Sequence, residues 1–292
     1  MKQSMKHGKR ILCLLMALLL FLPAFTVAEE EEDLEIEEIL GDDDGAEESA
    51  GGDPWTFPLR LEDINPEFVV LANKSYLLEK GYYVKPLETV KALKLNKDGT
   101  NKNGGVKKAS GSKMQLQKDC YEALVAMCDA AREDGYTLYL KSAYRSWQTQ
   151  NTMYKNRLKR NNGKDDGWVS KAGASDHQTG LGCDVIPRSW LKASGMNSKM
   201  AAEPECAWMA EHCQEFGFIL RYPEDKEEIT GIHYEPWHMR YVGNPAATYI
   251  MERGLCLEEF TDELQQAIRD YLDAGGDRSR VEKYIQNPTE EE

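Results

Sequence analysis

Ser175-Asp-His177-Gln-Thr-Gly180-Leu-Gly182-Cys-Asp184 and, some fifty residues later, Glu235-Pro-Trp-His238-Met-Arg240-Tyr-Val-Gly243 are the stretches on which the reading of this 292-residue chain turns. Each holds a pair of chemically able side chains at an odd separation. His177 and Asp184 are seven apart, Glu235 and His238 three apart. Odd separations on one regular strand put side chains on opposite faces. Neither pair converges unless its backbone bends. Gly180 and Gly182 permit a bend in the first stretch. Pro236 breaks the second and steers Glu235 away from helical geometry. The spacing therefore predicts His177 on a loop, Asp184 on the strand after it, and a Pro-kinked strand carrying Glu235 and His238.

Two imidazoles and one carboxylate make three protein ligands for zinc, with a fourth position left for water. A zinc ion so held lowers the pKa of bound water and polarises a carbonyl, and a glutamate beside it can move the protons. His177, Asp184 and His238 fit the ligand roles, and Glu235 fits the base. The chain has only five histidines, and two fall in these stretches. A lone histidine beside Trp237 and Tyr241 would read as core packing; two with an Asp and a Glu in these frames read as a metal site. Cys183, next to Asp184, is expected to face the core. His233 reads as surface or as a neighbour of the pocket, and His212 as a surface residue complementing a helix end. Arg145, within Ser142-Ala-Tyr-Arg145-Ser-Trp-Gln-Thr-Gln150, follows an apolar strand. There it can clamp a carboxylate or a developing oxyanion in bidentate fashion; its plainer reading is a salt bridge.

Strands and helices alternate irregularly around these stretches. Val69-Val-Leu-Ala, Tyr136–Ser142, Cys183–Ile186, Phe218–Tyr222 and Ile232–Val242 read as strands. Gln115–Asp134 has helical spacing, with Leu116, Cys120, Leu124, Met127 and Ala131 on one stripe. Trp147 to about Arg160, Pro204–Phe216, Asn244 to about Arg253 and roughly 258–273 also read as helices. No βαβ rhythm with glycine-rich turns is present. The expected class is α+β, a small largely antiparallel sheet flanked by helices.

The ends differ in kind from the middle. Lys2, Lys6, Lys9 and Arg10 precede an uncharged apolar run, Ile11–Phe21, with small residues at Thr26-Val-Ala28. This reads as a secretory signal over 1–28, cut near Glu29, with a retained anchor as the alternative. Residues 29–53 hold fourteen Asp or Glu and no Lys or Arg, a self-repelling linker. The net charge of −14 becomes −18 without the signal and −4 without the acidic block. The acidity thus belongs to the linker and argues against nucleic acid as a partner. About 240 residues remain, enough for one buried domain over 54–258 and a charged helical tail over 259–292. Removing the signal leaves six cysteines. An even count invites disulfides in an exported protein, but Cys120/Cys128 and Cys206/Cys213 each share a helix at a span too long for a bridge, which favours buried thiols.

The motifs resemble those of the VanY/DacB-like D-alanyl-D-alanine carboxypeptidases over roughly 65–258. The pattern S-x-H-x-x-G-x-A-x-D is met by Ser175, His177, Gly180 and Asp184. E-x-W-H is met by Glu235, Trp237 and His238, and Y-R-S-x-x-x-Q by Tyr144, Arg145, Ser146 and Gln150. The resemblance implies the α+β fold shared with the Hedgehog signalling domain. It implies Zn2+ held by His177, Asp184 and His238, Glu235 as base, and Arg145, Gln150 and Ser175 on the substrate's terminal residue. The implied activity is removal of the terminal D-alanine from peptidoglycan stem peptides by a secreted monomer, with no membrane contact after signal cleavage. L,D-cleavage of tetrapeptide stems, a non-catalytic zinc domain that binds peptides, and a cysteine peptidase using Cys183 are the rival readings. Gly182 stands where Ala is usual, Ala172 where Pro is common and Asp176 where Glu is common; none of these removes a ligand or the base.

Overall fold

The computed structural model describes residues 53–289. The signal expected over 1–28 and nearly all of the acidic linker over 29–53 lie outside the described residues. Four short strands form the main sheet: β3 (Leu138–Ser142), β4 (Gly182–Pro187), β5 (Phe218–Leu220) and β6 (His238–Tyr241). Their order is β3-β4-β6-β5, and every neighbouring pair is antiparallel. A second ribbon pairs β1 (Leu87–Thr89) with β2 (Gln115–Gln117). The helices are α1 (Lys118–Glu133), α2 (Trp147–Arg160), α3 (Pro204–His212), the single turn α4 (Glu227–Thr230), α5 (Asn244–Glu252), α6 (Leu257–Asp273) and the single turn α7 (Arg278–Val281). This is the α+β arrangement expected.

Two apolar cores flank the sheet. On one side the stripe of α1, Cys120, Leu124, Met127 and Ala131, is fully buried against Leu138, Leu140, Cys183 and Val185. On the other, Phe57, Leu61, Val69 and Leu71 meet Ile219, Val242 and Ile250 and the apolar face of α6, namely Leu257, Phe260, Leu264, Ile268 and Tyr271. The charge of residues 259–292 hides this face in the sequence. The helix expected in that tail forms, and its apolar side closes the second core.

Three local expectations are corrected. Val69-Val-Leu-Ala72 is not a strand: side chains satisfy its backbone. Gln286 accepts from Leu71 N at 2.8 Å and donates to Val69 O at 3.1 Å. Arg240 donates to Phe68 O and Val70 O, both at 2.8 Å. Helix α1 starts at Lys118 and not at Gln115, because Gln115–Gln117 is used in pairing with β1. The strand expected over Ile232–Val242 shrinks to His238–Tyr241. Before it, His238 N donates to Glu235 O at 3.0 Å, so Glu235-Pro-Trp-His238 is a turn and not a kinked strand. Among the described residues all six cysteines are free and buried.

Candidate active site

Strand register assembles the metal-ligating cluster. Asp184 of β4 lies directly opposite His238 of β6, and Cys183 opposite Met239. Alternation then puts Asp184 and His238 on one face and Cys183 on the other, in the core at 0% exposure. The neighbouring Cys120 and burial push the Cys183 thiol well above its usual range, which does not suit it as a nucleophile. His177 arrives from a 3-10 turn, Asp176–Thr179, which Gly180 ends at φ 75°, a left-handed conformation that suits glycine. Arg145 N donates to His177 O at 3.1 Å, tying this turn to the β3–α2 connection.

Both imidazoles are oriented by a partner on the nitrogen away from the cluster. His177 Nδ1 lies 2.8 Å from Ala143 O, a carbonyl that only accepts, so Nδ1 carries the proton and Nε2 keeps its lone pair. His238 Nε2 lies 2.9 Å from Asp176 Oδ1, leaving Nδ1 toward the cluster. Asp184 Oδ1 sits 3.4 Å from His177 Nε2 and 3.0 Å from His238 Nδ1. One donor atom from each of the three residues lies within 4.8 Å of the others, and all three residues are buried. Two oriented imidazoles and a carboxylate at these separations fit zinc.

The same arrangement shifts the protonation of each group. Burial and the Arg145 charge hold the His177 ring below the ordinary imidazole range. Burial opposes charge on His238 as well, but carboxylates on both of its nitrogens outweigh that and raise it well above. Asp184, desolvated yet faced by two imidazoles, is held well below the usual carboxylate range. Glu235 is different. Burial pushes its carboxyl up to about 8, with His238 opposing and Asp184 and Asp176 reinforcing the rise. Its Oε2 lies 3.7 Å from His238 Nδ1, within reach of the cluster without belonging to it.

Arg145 also lines the cleft. Nη1 donates to Gln150 Oε1 at 2.7 Å and Nη2 to Ser142 Oγ at 3.1 Å. The Asp184 carboxylate is 3.9 Å from Nη2, so the guanidinium faces the cluster. Gln150 in turn donates to Ser170 O at 2.6 Å. These residues line one cleft of about 440 Å³, which includes Arg145, Gln150, Ser175, His177, Asp184, Glu235 and His238. All seven site residues expected from the sequence are therefore brought together. The cleft is also lined by Trp168, Ser170, Met196 and Asn197, which no local motif marks, and by Tyr222, which the sequence placed only at the end of a strand. Asp176, which the sequence marks only as a departure from the usual Glu, proves to be the partner of His238. His233 does not line the cleft; its ring lies 2.8 Å from Asp166 O and 3.0 Å from Glu227 Oε2. His212 sits near the end of α3, beside Glu215.

Known proteins share this arrangement. The family model of the VanY D-alanyl-D-alanine carboxypeptidases matches residues 113–244. The putative carboxypeptidase YodJ of Bacillus subtilis is 37% identical over 155 residues, which are 53% of this chain and 56% of that protein. The chain thus spans about half the length of curated relatives that it matches. The solved structure of the LdcB LD-carboxypeptidase is 33% identical with a TM-score of 0.59, covering 68% of this chain and 88% of that one. VanYB in complex with D-alanine-D-alanine is 29% identical with a TM-score of 0.50, covering 67% and 97%. Sequence and fold agree over the part of the chain that builds the cleft, and the chain belongs to the VanY family of D-alanyl-D-alanine carboxypeptidases.

Proposed function

We propose that this protein is a zinc-dependent D,D-carboxypeptidase that removes the terminal D-alanine from peptidoglycan stem peptides. The observation that carries the reading is the convergence of His177, Asp184 and His238 at the floor of a cleft whose walls hold Glu235 and Arg145. His177 Nε2, an Asp184 oxygen and His238 Nδ1 would hold the ion. When bound, zinc polarises the scissile carbonyl and makes water a better nucleophile near neutral pH.

The remaining work falls to the chain's own side chains. Arg145, its fork set by Gln150 and Ser142, receives the terminal carboxylate of the peptide, with Ser175 and Gln150 beside it. This fixes the last peptide bond over the cluster. Glu235 takes a proton from the attacking water and delivers it to the amine as the C–N bond breaks. A buried carboxylate suits the first half of that exchange, since its raised proton affinity makes it a stronger base toward the water than an exposed one.

The family model and the D-alanine-D-alanine complex of VanYB favour D,D- over L,D-specificity. Defined pentapeptide and tetrapeptide stems, incubated with the zinc-loaded protein, test it. Release of D-alanine from the pentapeptide alone is expected, and it should stop with a chelator. Cleavage confined to the tetrapeptide would reassign the enzyme to the L,D class; activity in protein shown metal-free by elemental analysis would remove the zinc reading. The basic and apolar start of the chain supports export, action outside the membrane and a mature terminus near Glu29. Mass spectrometry of protein recovered from the host's envelope or medium checks this, and an intact Met1 there would contradict it.

A further inference from the structure

Beneath the cleft lies a buried group of charges that the reaction does not use. Asp176, Arg221 and Arg240 are each 0% exposed. Asp176 Oδ1 meets His238 Nε2 at 2.9 Å, while Oδ2 faces Arg221 Nε at 3.6 Å and Arg240 Nη1 at 3.7 Å. Arg221 makes a two-pronged pair with Glu258 of α6, at 2.8 and 2.7 Å. Asp176 thus faces two guanidiniums with one oxygen, at ion-pair distance and without a hydrogen bond, and presents the other to a metal-site imidazole.

Gly182 adds an independent observation. It opens β4 and is buried, paired with Arg240 of β6, a place where glycine leaves no side chain to pack. Its backbone is not left-handed, so conformation does not require it. Space does. A Cβ there would lie 2.7 Å from Asp176 Oδ1 and 3.0 Å from its Cγ. The aspartate is short, and its carboxylate reaches His238 by occupying the volume of the missing methyl group.

We propose that Asp176 is a positioning residue that fixes the orientation and proton placement of His238 for metal binding, and that Gly182 is the glycine that makes room for it. Two positions at which the motif departs from its usual residues are then one device. The inference rests on the zinc reading above. Partners on the far nitrogen of a ligating histidine typically change metal affinity by about 10–100-fold.

The test measures zinc affinity by competition with a chromophoric chelator, on protein shown to be folded by circular dichroism. Asp176→Ala should weaken zinc by about 10–100-fold. Gly182→Ala should do so too, although it touches no ligand. Asp176→Ala combined with Gly182→Ala should lose little beyond Asp176→Ala alone, because the added methyl then meets no carboxylate and keeps only a 3.2 Å contact with the backbone carbonyl carbon of residue 176. Glu258→Gln also removes a carboxylate from the network but leaves Asp176 paired with Arg240 and His238; its zinc affinity should stay within about twofold of wild type, well short of the second-partner effect. Nitrogen NMR of the labelled histidines reports the Nε2 proton of His238, which should lose its hydrogen-bonded shift in Asp176→Ala. If Asp176→Ala does not fold, Asp176→Ser, which shortens the side chain away from His238 and vacates the space beside Gly182, takes its place in the affinity series. Additive losses in the double variant, or an equal loss in Glu258→Gln, would overturn the proposal. Wild type that takes up no zinc would remove the metal reading itself, whereas wild type that binds zinc beside Asp176 variants of equal affinity would remove this inference alone.

Discussion

Glu235 and Arg145 both line the cleft beside the ligand cluster, and their proposed roles separate cleanly by substitution. Glu235→Gln keeps the shape but accepts no proton. It should retain zinc and its fold, bind substrate, and lose about 10²–10⁴ in kcat, the usual contribution of a general acid–base group. Elemental analysis beside steady-state kinetics checks this; zinc loss would make Glu235 a ligand instead. Arg145→Lys keeps the charge but not the planar fork that Gln150 and Ser142 orient. It should raise KM and lower kcat together, since a bound peptide no longer lies squarely over the cluster. An unchanged KM would mean that the terminal carboxylate is held elsewhere. His233 serves as the control: it is engaged by Asp166 and Glu227 outside the cleft, and His233→Gln should leave kcat near wild type.

Helices α2 and α6 support the site from opposite directions. Ser146 caps α2, accepting from Thr149 N at 3.3 Å, and α2 carries Gln150 to Arg145. Ser146→Ala should cost about 0.5–2 kcal/mol of stability. Helix α6 presents Leu257, Phe260, Leu264 and Ile268 to the second core, and Leu264 is completely buried. Leu264→Ala should destabilise by about 2–5 kcal/mol, the cost of lost burial plus a cavity. Urea unfolding measures it, and kcat/KM of the folded fraction should hardly change. A loss under about 1 kcal/mol would mean that α6 is an appendage and not part of the core.

Zinc held at the cluster would couple binding to folding, because the proposed ligands come from the 176–179 turn and two different strands. A ligand that binds only the folded state stabilises it by about 4 kcal/mol at a thousandfold excess over its Kd. Zinc should therefore raise the melting temperature, and a chelator should lower it in wild type but not in His238→Ala. The cysteines add a second global readout. All six of the described residues are buried and free, so a thiol reagent should titrate them only after unfolding, and without prior reduction. Fewer than six reactive thiols in the unfolded mature protein would reveal a disulfide.

The chemistry was legible in the sequence because it is local. His177, Asp184, Glu235, His238 and Arg145 lie in short frames, and glycine and proline mark where each frame must bend. Alternation alone turned Cys183 away from the site, since a strand has period two whatever surrounds it. Helices α1 and α2 were readable from apolar spacing and flanking residues. What failed was anything settled by a distant partner. Val69–Ala72 has the composition of a strand, yet Gln286 and Arg240 supply its hydrogen bonds, so no neighbouring strand is needed. Glu235 sits in a turn and not a strand because its carbonyl takes the His238 N–H at 3.0 Å, while its own N–H is held by the distant Tyr222 O at 3.2 Å. The charge of α6 concealed a face that has meaning only against Phe57 and Ile219. Asp176 looked like a conservative change beside a ligand. Its grip on His238, its arginine partners and its claim on the space at Gly182 arise from four segments meeting below the cleft, a proximity that no local pattern encodes.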